Sequence, residues 1–169
     1  GSEMCIRDST KFNQSKSNIT SGGLGTMGFA LPAAFGAKIG DPNREVIAVI
    51  GDGGFQMTIQ ELGTIFQSEA GVKIVILNNN FLGMVRQWQQ LFFDKRYAST
   101  EMINPDFVAI AKGYFIEAKK VEKREKLNDE IKKMIEHKGP YLLEVIIEKE
   151  DNVFPMIPSG SSVSDVRLE

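Results

Sequence analysis

One cysteine, one histidine and one tryptophan among 169 residues leave little room for thiol, imidazole or disulfide chemistry. The lone thiol, Cys5, cannot close an internal disulfide, which fits a reducing, cytoplasmic setting. It lies in an irregular leader, away from any candidate catalytic group. Charge of one sign is also lacking: 20 Lys and Arg stand against 22 Asp and Glu, for a net charge of −2. No broad cationic surface is therefore available to nucleic acid or anionic lipid. Long apolar runs are missing too. The longest, Val46 to Ile50 and Ile74 to Leu77, are strand-sized, so no membrane span is expected and the protein is read as soluble.

What is present suffices for one ordinary core. Residues 1 to 10 are set aside as a non-native leader, since Gly1-Ser2 has the form of a cloning scar and Glu3 to Ser9 show no periodicity. Residues 11 to 150 form the expected domain. Within it, Thr26 to Ile39 reads as a helix that stops at Gly40-Asp41-Pro42, and Glu45 to Ile50 as a short buried strand. Gln56 to Ser68 repeats apolar residues at helical spacing, and Val72 to Leu77 is a second strand. Strand, helix, strand in this rhythm is a βαβ unit with parallel strands, so the fold class is α/β. Helices are predicted over Phe81 to Phe93, Pro105 to Lys112 and Lys123 to Lys138, and strands over Tyr114 to Ala118 and Tyr141 to Ile147. His137 is placed in a last helical turn, where a cation meets the carbonyl ends. Residues 151 to 169, with Pro155, Pro158 and many serines, are expected to be an irregular, mobile tail.

The informative segment runs from Gly51 to Asn80. Gly51-Asp52-Gly53-Gly54 sits where a parallel strand hands over to a helix, a place where backbone amides collect negative charge and glycine lets a phosphate come close. About two dozen residues on, the second strand ends in Asn78-Asn79-Asn80, beside the first if the two strands are neighbours. One carboxylate and an amide oxygen suit magnesium, which completes its octahedron with phosphate oxygens and water. Gly-Asp-Gly alone is an ordinary turn, and paired asparagines also cap or turn. Only their joint placement argues for metal-dependent phosphate binding.

The two strand ends together resemble the thiamine diphosphate motif, Gly-Asp-Gly followed by Asn-Asn. Ser21 to Gly28, Leu77-Asn78-Asn79, Gly83-Met84-Val85-Arg86-Gln87-Trp88-Gln89 and Phe154 to Gly160 resemble, more narrowly, the large catalytic subunit of the acetolactate synthase family. The similarity runs from about Lys11 to Ser161 and corresponds to that family's C-terminal third. It implies a three-layer sandwich around a mainly parallel sheet. It also implies Asp52, Asn79 and the backbone carbonyl of Phe81 as magnesium ligands, with Gly51, Gly53 and Gly54 at the diphosphate and Gly25, Gly83 and Met84 among the cofactor contacts. Met27 would hold the cofactor bent, so that the cofactor's own amino group deprotonates the thiazolium carbon.

By the same resemblance, that carbon would decarboxylate pyruvate and pass the two-carbon unit to pyruvate or 2-ketobutyrate, toward branched-chain amino acids. Met84, Val85, Trp88 and Ser159 would line a substrate and herbicide pocket, although spacing alone favours core for the first three. The chain departs from the family where Cys5 to Ser9 replace a Gln-His segment that helps hold the diphosphate. The glutamate that activates the aminopyrimidine, across a homodimer interface, and the FAD-binding middle domain belong to other parts of the family subunit. A regulatory small subunit is a further implied partner. The chain alone is then expected to be inactive. Two alternatives stay open: a domain of another thiamine diphosphate decarboxylase or oxidase, and a non-catalytic magnesium and phosphate-binding module.

Overall fold

Apolar, β-branched runs build the centre of the molecule because each must bury both of its faces. The computed structural model describes residues 6, 9–158 and 160–168. In it, β1 (Val46–Gly51) lies parallel to β2 (Val72–Asn78), in a register running from Val46 opposite Val72 to Gly51 opposite Leu77. β4 (Tyr141–Ile146) pairs with the other side of β2, and β3 (Glu117–Val121) pairs with β4 at the outside. The order β1-β2-β4-β3 is parallel throughout.

Helices cover both faces. On the first, Leu31 and Ala34 of α1 (Ala30–Gly40), Phe55 of α2 (Asp52–Gln56) and Leu62 and Ile65 of α3 (Glu61–Gln67) pack on Ala48, Ile50, Ile74, Ile76 and Leu142. Phe107 of α5 (Phe107–Gly113) joins them, its ring edge-on to Phe55 with centroids 5.3 Å apart. On the second face, Leu127 and Met134 of α6 (Leu127–Glu136) pack on Val75, Val121, Tyr141, Leu143 and Val145. Each fully buried Leu, Ile, Phe or Met contributes roughly 1.5–3 kcal/mol. The three-layer α/β architecture expected from the sequence is what forms. Among the described residues no helix is long and apolar enough to cross a membrane.

Several boundaries differ from expectation, each for a local reason. The first helix begins at Ala30 rather than Thr26, because Gly25 and Gly28 adopt φ of +60° and +82° and keep the chain out of helical geometry. The single helix expected over Gln56 to Ser68 is two short ones. α2 starts at the strand end itself, and residues 57–60 make tighter turns, with Thr58 N–H donating to the Phe55 carbonyl and Glu61 N–H to that of Thr58. The helix expected from Phe81 is α4 (Gly83–Phe92), since Asn80 sits at φ +56°.

β3 starts at Glu117, not Tyr114, because the chain spends Tyr114 and Phe115 on closing α5. Phe115, at φ +58°, donates to the Lys112 carbonyl, and Ile116 N–H to that of Ala111. The helix expected over Lys123 to Lys138 is a 3₁₀ turn (Arg124–Lys126) followed by α6.

His137 therefore stands just beyond α6 in extended conformation, its ring edge-on to Tyr141 with centroids 5.5 Å apart. The cation at these carbonyls is Lys73: its buried Nζ donates to the carbonyls of His137 at 2.5 Å and Gly139 at 2.6 Å. Burial pulls the Lys73 ammonium below the ordinary lysine value.

The tail is irregular but not loose. Gln87, buried in α4, donates from Nε2 to the Val153 carbonyl at 2.9 Å and accepts from Val153 N–H at 2.7 Å. Further on, Met156 and Arg167 exchange two backbone hydrogen bonds of 3.0 and 2.8 Å. The guanidinium of Arg167 then lies over the Phe92 ring, 5.2 Å from its centroid.

Candidate functional site

Parallel α/β sheets present ligand sites beyond the carboxyl ends of their strands. Here β1 and β2 are direct neighbours, and with Gly51 opposite Leu77 the next residues, Asp52 and Asn78, emerge side by side. Asp52 is 2% exposed, and no lysine or arginine among the described residues pairs with it. Burial pushes its carboxyl above the ordinary value. Hydrogen bonds from the Asn104 side chain, and then from the amides of Gly53, Asp52 itself and Asn80, act against that rise.

Asn104 is the centre of the polar cluster. The two hydrogens of its Nδ2 go to Asp52 Oδ2 at 2.6 Å and Asn78 Oδ1 at 2.9 Å, with Asn80 Oδ1 at 3.1 Å sharing one of them. The Asn78 amide is oriented from behind, because its Nδ2 donates to Oε1 of the fully buried Glu144 at 2.7 Å. Lys120 Nζ lies 3.2 Å from the other Glu144 oxygen, which among the described residues has no hydrogen-bond partner of good geometry. Asn79 turns elsewhere: its Oδ1 accepts from Phe81 N–H at 3.1 Å.

The glycines of the anchor are closed in. A Cβ on Gly53 would stand 2.7 Å from Leu82 Cδ2, 3.1 Å from Met102 Sδ and 3.5 Å from Met27 Cε, so an added methyl would have to push these side-chain ends aside. Gly54 lies under the loop that carries Gly25 and Met27, its Cβ direction meeting Gly28 N at 3.7 Å. Thr58 ties the same loop down by donating from Oγ1 to the Gly28 carbonyl at 3.0 Å. Met27, half-exposed, thus stands at the rim of the anchor. Gly83 lies against Asn79, whose Nδ2 would be 3.2 Å from an added Cβ.

Of the residues singled out from the sequence, Met27 lies against Gly53, in the turn formed by Gly51, Asp52, Gly53 and Gly54, while Gly25 has no neighbour within 4 Å of its Cβ direction. Asn79 and Phe81 lie in the loop after β2, and Gly83 opens α4 beside Asn79. Met84, Val85 and Trp88 are not core, contrary to what spacing alone favours. Val85 and Trp88 lie on the exposed side of α4, at 45% and 38% exposure, while the polar Arg86 and Gln87 are the buried pair. Arg86 is held beneath aromatic rings, 5.3 Å from the Phe81 centroid and 4.8 Å from that of Tyr97. Ser159 lies outside the described residues, as does Cys5. Sequence reading missed Asn104 and the partnership of Asn78 with Glu144. The available signal for Asn104 was a polar side chain directly before Pro105-Asp106, at the start of a helix.

Among the described residues no group of three or more His, Cys, Asp or Glu could hold a metal. One carboxylate flanked by amide oxygens fits a magnesium ion whose remaining ligands are phosphate and water, and does not fit a calcium cage. A parallel α/β sheet with a glycine cradle, a buried carboxylate and amide oxygens at its carboxyl edge defines a phosphate-cofactor-binding domain.

The class becomes specific on comparison with known families. Residues 2 to 145 match the family described as thiamine pyrophosphate enzyme, C-terminal TPP binding domain, and the chain belongs to that family. It is 47% identical over 149 residues to the acetolactate synthase isozyme 2 large subunit of Escherichia coli (strain K12), covering 88% of this chain and 27% of that protein. It is also 47% identical over 153 residues to the mitochondrial acetolactate synthase of Schizosaccharomyces pombe, covering 90% and 23%. Against the acetolactate synthase large subunit of Lactococcus lactis the identity is 43% over 159 residues, covering 94% and 28%. The chain thus spans about a quarter of the length of these relatives.

Proposed function

We propose that this chain is the thiamine diphosphate and magnesium-binding part of an acetolactate synthase catalytic subunit. The observation that carries the proposal is the buried, cation-free Asp52 carboxylate set beside a glycine cradle at the shared end of β1 and β2. Isolated burial of a carboxylate is unfavourable, and a divalent cation with a diphosphate removes the penalty.

Hydrogen bonding supports the choice among the asparagines. A carbonyl oxygen has two lone pairs. Asn78 Oδ1 accepts from both Asn80 N–H, at 3.0 Å, and Asn104, so both of its lone pairs are used. Among the described residues Asn79 Oδ1 accepts only from Phe81 N–H, which leaves its second lone pair unused there. Asn79 therefore joins Asp52 and the Phe81 carbonyl as a metal ligand in this reading, while Gly53 and Gly54 admit the diphosphate to the backbone. Met27, at the rim, sets the cofactor's bend. Exposed Val85 and Trp88, with half-buried Met84 beside them, offer an apolar surface to 2-keto acids, and Ser159 belongs to the same pocket.

When bound, thiamine diphosphate supplies a thiazolium carbon that adds to pyruvate and accepts electrons as carbon dioxide leaves. This chain's residues hold, orient and shield. The other domains of the subunit, a homodimer partner's activating glutamate, FAD and a regulatory small subunit complete the assembly, which is cytoplasmic in this reading.

The test is Asp52→Ala in the assembled enzyme, with acetolactate formation from pyruvate measured beside binding of thiamine diphosphate. Both are expected to be lost. Retained activity overturns the reading, as does acetaldehyde or acetyl phosphate as the main product of the parent. Since Trp88 is the only tryptophan, its fluorescence follows binding by the chain itself, which is expected to require magnesium.

A further inference from the structure

We propose that Asn104 is a positioning residue of the anchor, fixing Asp52 and the two asparagines around it in the arrangement that accepts a divalent cation; this rests on the function proposed above. The assignment of its amide is forced by its neighbours. An ionised carboxylate only accepts, so the group 2.6 Å from Asp52 Oδ2 must be the NH2 and not the oxygen of Asn104. The same NH2 meets Asn78 Oδ1, whose orientation is set independently by donation from Asn78 Nδ2 to Glu144. On its far side, Asn104 Oδ1 accepts from Gln56 Nε2 at 2.7 Å, which braces the amide from α2.

The backbone carrying Asn104 is fixed as well. Leu82 N–H donates to the Thr100 carbonyl and Met102 N–H to that of Asn80, both at 2.8 Å, and Phe81 and Glu101 form an antiparallel bridge. Two residues on, Asp106 accepts from Ala109 N–H at 2.9 Å and starts α5. Asn104 is thus clamped between the loop after β2 and the first turn of α5. It occupies Asp52 Oδ2 and the second lone pair of Asn78, and makes no contact with Asn79 Oδ1, which among the described residues accepts from Phe81 N–H alone.

Carboxylates that bind metals are themselves held by hydrogen bonds, and loss of such a partner weakens metal binding by about 10–100-fold. The experiment titrates Mn2+ into the chain at fixed thiamine diphosphate and counts free Mn2+ by electron paramagnetic resonance. Asn104→Ala is expected to raise the Mn2+ Kd by about 10–100-fold. At saturating Mn2+, thiamine diphosphate binding by the variant should match that of the parent. Gln56→Ala, which removes the brace and leaves Asn104 in place, should weaken Mn2+ in the same direction by a smaller factor. A purely structural role would weaken both ligands together and overturns the inference. Unchanged or tighter Mn2+ binding in Asn104→Ala also overturns it, since the amide would then only be filling the cation's place. If the parent chain binds neither ligand, the proposed function fails and the inference with it. If the parent binds both and the variants match it, only the inference fails.

Discussion

Replacing Gln87 with alanine should release the C-terminal tail without unfolding the domain. The side chain is almost fully buried and mimics a strand neighbour, giving one hydrogen bond to the Val153 carbonyl at 2.9 Å and taking one from Val153 N–H at 2.7 Å. A neutral hydrogen bond of this kind contributes about 0.5–1.5 kcal/mol, so the pair contributes roughly 1–3 kcal/mol to holding the tail closed. At about 1.4 kcal/mol per factor of ten, local opening should become about 5- to 150-fold more frequent. Amide hydrogen exchange measures this directly. Val153, Met156 and Arg167 should exchange faster by that factor, while Ile74 and Ile76 in the central strand keep their protection. Gln87→Glu should behave alike, because a carboxylate would face the Val153 carbonyl. Unchanged exchange at Val153 would refute the clamp, and equal acceleration in β2 would show that Gln87 supports the whole fold instead.

Two further substitutions probe the anchor. Gly53→Ala puts a methyl 2.7 Å from Leu82 Cδ2 and 3.1 Å from Met102 Sδ, an overpacking cost of about 1–3 kcal/mol. Alanine's helix preference returns about 1 kcal/mol of it. The net loss of at most about 2 kcal/mol lowers the melting temperature by no more than about 8 °C. Thiamine diphosphate binding should fall far more, and retained affinity would contradict the cradle.

For Asp52→Asn the sign follows from the raised carboxyl pKa. The folded state holds the proton more tightly than the unfolded one. The contribution of Asp52 is therefore fully present below the ordinary value of 3.8 and is lost as pH rises through the higher folded value. Without metal, Asp52→Asn should accordingly be more stable than the parent at pH 8, and the gap should close toward pH 3. Urea denaturation at both pH values decides it, and lower stability of the variant at pH 8 would be decisive against the argument.

Much of this was legible from residue order because strands buried on both faces leave continuous apolar runs. Val46 to Ile50 and Val72 to Leu77 became neighbours in the expected parallel sense, which brings Asp52 and Asn78 together. Less legible were features set by long-range contacts. Nothing local told that Tyr114 and Phe115 would cap α5 rather than open β3, since aromatic residues suit a strand as well. The apolar face of α4 looked like core, yet Arg86 and Gln87 are buried because aromatic rings and the tail backbone supply their partners. Asn104 gave no periodic signal, since its part depends on a turn that brings it back across residues 78 to 80.

Lys73 has a bearing on how the chain finds this arrangement. Along β2, Val72, Ile74 and Ile76 point into the larger core while Lys73 reaches the carbonyls beyond α6 on the opposite face. A one-residue slip of β2 would turn the ammonium in among Leu62, Ile65 and Phe107, with no carbonyl to receive it. The charge therefore acts as a proofreading device during strand pairing, rejecting the neighbouring register. That same slip would carry Asn78 and Asn79 about 3.3 Å along the strand axis away from Asp52. A lysine on the far side of the sheet thus sets the alignment that brings Asp52 beside Asn78 at the strand ends.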